Sequence, residues 1–131
     1  MPGSRRARGS VSVEFAAVLP LLAVAMLLVA QIGLLVAQQL TVQHAAREGA
    51  RSAAVHNDDD RARQDALAAG NLDPGRASVA VEPGERTVGD PVTVTVRYQP
   101  GTMPLVGRWL PGGFELISAV SMRTERDPNQ P

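Results

Sequence analysis

The chain has 131 residues, no cysteine, and 13 basic against 13 acidic side chains, so its formal net charge is zero. Disulfides are therefore excluded and a zinc site loses its favoured ligand. The basic residues are all arginine and do not cluster beyond the first few positions, which leaves a nucleic-acid-binding face without support.

The chain opens on a short basic leader, Met1-Pro2-Gly3-Ser4-Arg5-Arg6-Ala7-Arg8-Gly9. Glu14 then stands alone at the mouth of an uncharged apolar run, Phe15 to Ala37. That run is long enough to span a bilayer with some tilt. Seven Leu, four Val, one Ile and one Phe supply roughly −4 to −8 kcal/mol of insertion free energy as an upper value. Only Pro20, Gln31 and Gly33 interrupt the run, and Pro20 is expected to kink it because its ring removes one backbone hydrogen bond. A small domain could not cover so long an apolar helix on every side, which argues against a buried soluble helix. A cleaved secretory signal is the main competitor, but the run exceeds a signal's apolar core and no small-residue site closes it. Arg5, Arg6 and Arg8 precede the run and the next basic residue is Arg47, so the positive-inside rule puts the leader in the cytoplasm and the rest outside.

Nothing breaks the helix after Ala37. Residues 38 to 55 contain no proline and are rich in Ala, Gln, Arg and Leu. A helix from Ser10 to Val55 would measure roughly 70 Å. Ala45, Gly49 and Ala53 recur every four residues, a stripe of small side chains that admits a close neighbour. The neighbour is either another helix or the chain's own domain, and the pattern does not choose. His44 and Glu48 lie one turn apart, but two groups do not make a metal site; a polar flank of the helix is the simpler reading.

Asn57-Asp58-Asp59-Asp60 reads as an N-cap cluster opening a short helix over 61–69, with Gly70 as its stop. The period then changes to two. Ala77 to Glu82 is the first strand, Pro83-Gly84 a turn, and Val92 to Tyr98 the clearest strand, with its four apolar residues inward and Thr93, Thr95 and Arg97 outward. Phe114 to Thr124 is a third strand, with Leu116, Val120 and Met122 on one side and Ile117 and Ala119 on the other. Between the last two strands, Pro100 to Gly113 carries Met103, Leu105, Val106, Trp109 and Leu110. Leu105, Val106, Trp109 and Leu110 mark a candidate partner loop that docks either on the head's own core or on a neighbouring subunit or membrane surface. The tail from Asp127 to Pro131 should fray.

The fold class is thus α+β: a basic leader (1–9), a transmembrane-plus-stalk helix (10–55), a small extracytoplasmic head (56–126) with a short helix and a three-stranded antiparallel sheet, and a disordered tail (127–131). No nucleophile constellation or phosphate loop emerges, so the chain reads as a non-enzyme without cofactor, metal, small-molecule substrate or nucleic acid.

Arg8-Gly9-Ser10-Val11-Ser12-Val13-Glu14-Phe15, Val18-Leu19-Pro20 and Ala45-Ala46-Arg47-Glu48-Gly49-Ala50-Arg51 together resemble the TadE-like pseudopilins of tight-adherence (Flp) type IV pilus systems. The likeness covers residues 8 to 55; the head matches in layout only. The resemblance implies a cut between Gly9 and Ser10 by a membrane-embedded prepilin peptidase. It also implies a role for Glu14 in assembly, meeting the N-terminal ammonium of a neighbouring subunit. The partners implied are the peptidase, other pilins or pseudopilins, the pilus assembly platform and membrane lipid. Classical type IV pilins begin the mature chain with phenylalanine, often methylated, and Ser10 departs from that. An unprocessed single-pass anchor presenting a small binding domain shares the same topology and differs from this reading at Gly9.

Overall fold

The computed structural model describes residues 5–101 and 113–125, with side chains from residue 12 onward. Its elements in chain order are α1 (Arg5–His56), α2 (Asp59–Ala69), β1 (Ala77–Glu82), β2 (Pro91–Tyr98) and β3 (Leu116–Arg123). This is the α+β class expected. The candidate partner loop and the tail lie outside the described residues. The chain divides into two compact units, Met1–Leu35 and Val36–Pro131, and the division falls inside α1.

In the first unit α1 runs through Pro20 as helix. Its side chains from residue 12 to residue 34 are exposed apart from Gln31. They include Phe15 at 66% and Val29 at 69% exposure, values that place bare hydrocarbon on all sides. Among the described residues of its own unit such a helix has no apolar partner, and a bilayer supplies one.

The second unit holds the core. β1, β2 and β3 form a meander, antiparallel throughout, in the order β1-β2-β3. Alternation sets the register: Val79 pairs with Val96 and Val81 with Val94, and on the other side Val94 pairs with Val120 and Val92 with Met122. Period two therefore puts all these side chains on one face. Val92, Val94 and Val96 are fully buried, each burial being worth about 1.5–3 kcal/mol. The second strand begins at Pro91, where a missing N–H costs nothing to the ladder interior, and the third is two residues shorter at its start than the alternation suggested.

Covering that face are residues 36–56 of α1 and the whole of α2. The helical contribution to the core is mostly alanine: Ala45, Ala46, Ala50, Ala53, Ala54, Ala62 and Ala66 are buried with Val42. Alanine adds little area per residue, but it lets backbones approach closely enough for the valines of the sheet to pack against them. Gln39 donates its side-chain amide to the Ile117 carbonyl (3.2 Å) and the Glu125 amide donates to the Ala54 carbonyl (2.9 Å), so this stretch of α1 runs alongside β3 in the same direction.

The joint between the helices is two residues long. Asn57 takes a left-handed conformation (φ 51°), which reverses the chain at the end of α1. Asp58 is the N-cap of α2, its carboxylate accepting from the amides of Asp60 (3.0 Å) and Arg61 (3.1 Å). Gly70 does end α2, but not through a left-handed turn: it stays right-handed (φ −87°) and Asn71 takes the positive φ of 45°. Gly70 is instead needed for space. A Cβ there would lie 2.8 Å from Leu72 Cγ and 3.0 Å from Ala45 Cβ.

Candidate functional site

The residues that carry the resemblance fall in α1, and the structure sorts them into two groups with different surroundings. Gly9, Ser10 and Glu14 belong to the N-terminal part. The backbone at residues 9 and 10 is already helical. An α-helix brings positions 10 and 14 onto one face, one turn apart. Glu14 is exposed between exposed Val13 and Phe15, and it forms no ion pair among the described residues. A carboxylate on an apolar helix is costly in lipid and calls for a cation. Pro20 lies one and a half turns further along, inside the helix.

The second group, Ala45 to Arg51, is docked. Ala45, Ala46, Gly49 and Ala50 are buried, Arg47 and Arg51 are exposed, and Glu48 is half-buried. The stripe Ala45, Gly49, Ala53 faces the head of its own chain. Gly49 sits so close that a Cβ would lie 2.8 Å from Ala66 Cβ, 3.1 Å from Val94 Cγ1 and 3.3 Å from the Ala62 carbonyl oxygen. Of the two neighbours left open by the sequence, the structure seats the stripe on the chain's own α2 and β2. The short Ser52 hydroxyl bond to the Asp65 carboxylate ties the same stretch of α1 to α2.

Arg51 separates two shallow grooves. One, about 470 Å³, is lined by Arg51, Ala54, Val55, Met122, Arg123 and Glu125. The other, about 300 Å³, is lined by Glu48, Arg51, Ser52, Val55, His56 and Asp65. In the second the Ser52 hydroxyl donates to the Asp65 carboxylate, and the His56 Nδ1 lies 3.2 Å from the Ser52 carbonyl, not its hydroxyl. His44 is exposed on α1 beside half-buried Glu48. Among the described residues no group of three or more metal-ligating side chains comes together.

Residues 9–51 match the TadE-like protein family. The match begins at the leader's glycine, takes in Glu14 and Pro20, and ends at Arg51. It therefore covers the exposed apolar part of α1 and the first two positions of the docked stripe, Ala45 and Gly49. No curated protein and no solved structure matches the chain. The TadE-like segment thus combines one helix long and apolar enough to cross a membrane with the small-residue surface that seats the head.

One buried charge escaped the sequence reading. The Arg86 side chain is fully buried, its Nη1 2.7 Å from Asp59 Oδ1 and 2.9 Å from the Pro83 carbonyl. The Arg86 carbonyl in turn accepts from the Asn57 side-chain amide (3.4 Å). The loop between β1 and β2 is thereby clamped to the first turn of α2. A lone arginine in a polar loop carries no sequence signal that would distinguish it from a solvated one.

At the far end of the same loop, Asp90 accepts from the Thr87 amide (2.8 Å) and the Thr87 hydroxyl (2.7 Å). The Thr87 backbone and side-chain hydrogen bonds hold the Asp90 carboxyl below the usual value of 3.8.

Proposed function

We propose that the protein is a minor pilin-like subunit of a tight-adherence type IV pilus system, made as a precursor and cut after Gly9. The observation that carries this reading is the TadE-like match over residues 9–51, together with the exposed apolar helix on which Gly9, Ser10 and Glu14 lie. Glycine before the scissile bond leaves the backbone open to a peptidase. Cutting there places a new ammonium at Ser10 one turn from Glu14. Each charge then lowers the cost of burying the other, within the chain or between neighbouring subunits, and the pairing sets axial register more than it adds stability. The head lies outside the cytoplasm, and the leader inside. The function is assembly or secretion through contact with other pilins and the assembly platform, without catalysis.

N-terminal sequencing of protein extracted from the native membrane tests the reading. A mature chain beginning at Ser10 supports it. A chain that keeps Arg5 and Arg6 makes the protein an unprocessed anchor presenting a small binding domain. Gly9→Val is expected to stop processing while leaving membrane insertion intact. Glu14→Ala is expected to insert at least as well as wild type, since an insertion cost of about 2.5–3.5 kcal/mol at a helix centre is relieved, yet to be lost from assembled structures. Normal assembly by Glu14→Ala would remove the pairing role.

A further inference from the structure

The outer face of the sheet, turned away from α1 and α2, has exposed or half-buried side chains and no cover among the described residues. We propose that it is a docking face for a second copy of this chain, related by a two-fold axis that runs along β2. The register fixes its layout in three rows: Ser78–Arg97–Ile117, Ala80–Thr95–Ala119 and Glu82–Thr93–Ser121. Its middle row carries only Ala and Thr, so another sheet can approach it closely there, while Arg97 and Ile117 (44% exposed) stand in the row beside it. The long charged side chains stand at its two ends: Glu82 and Arg123 at one, Arg97 and Glu115 at the other, the latter pair 3.5 Å apart. Glu82 and Arg123 form no ion pair among the described residues.

A two-fold axis along β2 lays β1 of one copy over β3 of its partner at unchanged height along the strands. Ala80 then faces the partner's Ala119, and Ser78 faces the partner's Ile117. Glu82 faces the partner's Ser121, with the partner's Arg123 one pleat further on and within reach of its carboxylate. The contact makes that pair twice. At the other end the axis sets Arg97 opposite the partner's Arg97, and the Glu115 carboxylate that lies 3.5 Å from Arg97 in each copy offsets the like charge. A uniformly twisted sheet keeps its saddle shape under this operation, so the faces stay parallel over their whole extent.

A second axis, across the strands, would also bring opposite charges together, but it reverses one copy relative to the other. The Gln39–Ile117 and Ala54–Glu125 contacts show residues 39–54 of α1 running with β3. Only the axis along β2 keeps these helical segments parallel, as two chains held by α1 in one membrane require. That choice rests on the membrane-anchor reading above; it does not depend on cleavage after Gly9. Three strands about 4.8 Å apart and six residues at about 3.4 Å rise give roughly 300 Å² per copy. That is below the area of a stable free interface, so the heads pair when a shared membrane raises their effective concentration.

The native chain has no cysteine, which makes single-cysteine variants of the full-length protein in liposomes a direct test. With a short bismaleimide, Thr95→Cys, on the axis, should link to itself several-fold faster than Gln64→Cys, on the exposed side of α2. Ala80→Cys mixed with Ala119→Cys should link faster than either alone. Glu82→Arg should cut the Thr95→Cys rate several-fold, and Arg123→Glu in the same chain should restore it. Circular dichroism of each variant confirms that the head is folded. Equal rates at Thr95→Cys and Gln64→Cys overturn the contact. Self-linking of Ala80→Cys at the rate of the mixed pair overturns the axis. Loss of the protein from the membrane fraction would instead count against the anchor and would leave the linking pattern to be read on its own.

Discussion

Two stretches of α1 show what one continuous helix can be asked to do. From residue 12 to residue 34 every side chain but Gln31 is exposed, and the sequence is apolar all round. From Val42 to Ala54 the buried residues recur at intervals of three and four, as Val42, Ala45, Ala46, Gly49, Ala50, Ala53 and Ala54, with arginines and a histidine between them. The first stretch is uniform because lipid is uniform; it needs hydrocarbon of sufficient length and no particular shape. The second has one docked face, and shape is what it must supply. The residue types follow: Leu and Val where bulk alone matters, Ala and Gly where a neighbouring backbone must come close.

The contrast is broken most severely by a change that unfolds the head and leaves the membrane stretch alone. Asp59→Ala strands the buried Arg86 guanidinium, whose Nε and Nη2 have no partner among the described residues. Removing one member of such a pair costs about 3–5 kcal/mol. The head should lose most of its stability to thermal or urea unfolding in detergent, while sedimentation with membranes is unchanged. Arg86→Met should cost less, because Asp59 is partly exposed in the first turn of α2, where a carboxylate is favoured. A smaller effect of the opposite kind is expected from Leu27→Arg in the first stretch. It adds about 2.5–3.5 kcal/mol to insertion, so the membrane-bound fraction falls and the melting of the head does not move.

How much of this was legible in the sequence depended on whether the signal was local. β2 was legible because valine at every second position, with threonine between, has one solution on a half-buried sheet. The start of α2 was legible to within two residues: the Asn57–Asp60 cluster marked a cap, and Asp58 fills it, so the helix opens at Asp59 and not at residue 61. The partner of the Ala45–Gly49–Ala53 stripe was not legible: small residues at that spacing serve a neighbour in another chain or in the same one equally well, and only the tertiary fold chooses. Gly70 was legible as a stop, but the crowding by Leu72 and Ala45 that excludes a Cβ was not, because it comes from residues distant in the chain or folded back upon it. Arg86 gave no sign at all, since burial of a loop arginine is decided by what the fold packs around it.

Two glycines of the same helix sharpen the comparison further. A Cβ at Gly33 would meet nothing within 4 Å, whereas one at Gly49 would press on Ala66 and Val94. Gly33→Ala should therefore gain helix propensity, up to about 1 kcal/mol, and leave the head's melting unchanged. Gly49→Ala gains the same propensity but forces its Cβ against the Ala66 Cβ, which no rotamer can move. Overpacking costs about 1–3 kcal/mol, so the head should be net destabilised, by up to about 2 kcal/mol once the gain in propensity is subtracted. Equal melting of the two variants would mean that the stripe is not seated on α2 and β2.

The smallest effect concerns the head alone and separates its loop from its core. Asp90 is held below 3.8 in the folded chain by its bonds from Thr87, so its contribution to stability is present above the unfolded value and is lost as pH falls through the folded one. Acidification below about 3.8 should loosen the turn from Thr87 to Asp90, which also receives the Thr124 amide on the Asp90 carbonyl (2.8 Å). Asp90→Asn removes the titrating group, and its hydrogen-exchange protection at Thr87 should be flatter with acid than that of the wild type. The Val92, Val94 and Val96 amides, in the centre of the ladder, should keep their protection in both proteins. If they follow Thr87 instead, the loop and the sheet open as one unit, and the head is a single cooperative body down to its edge.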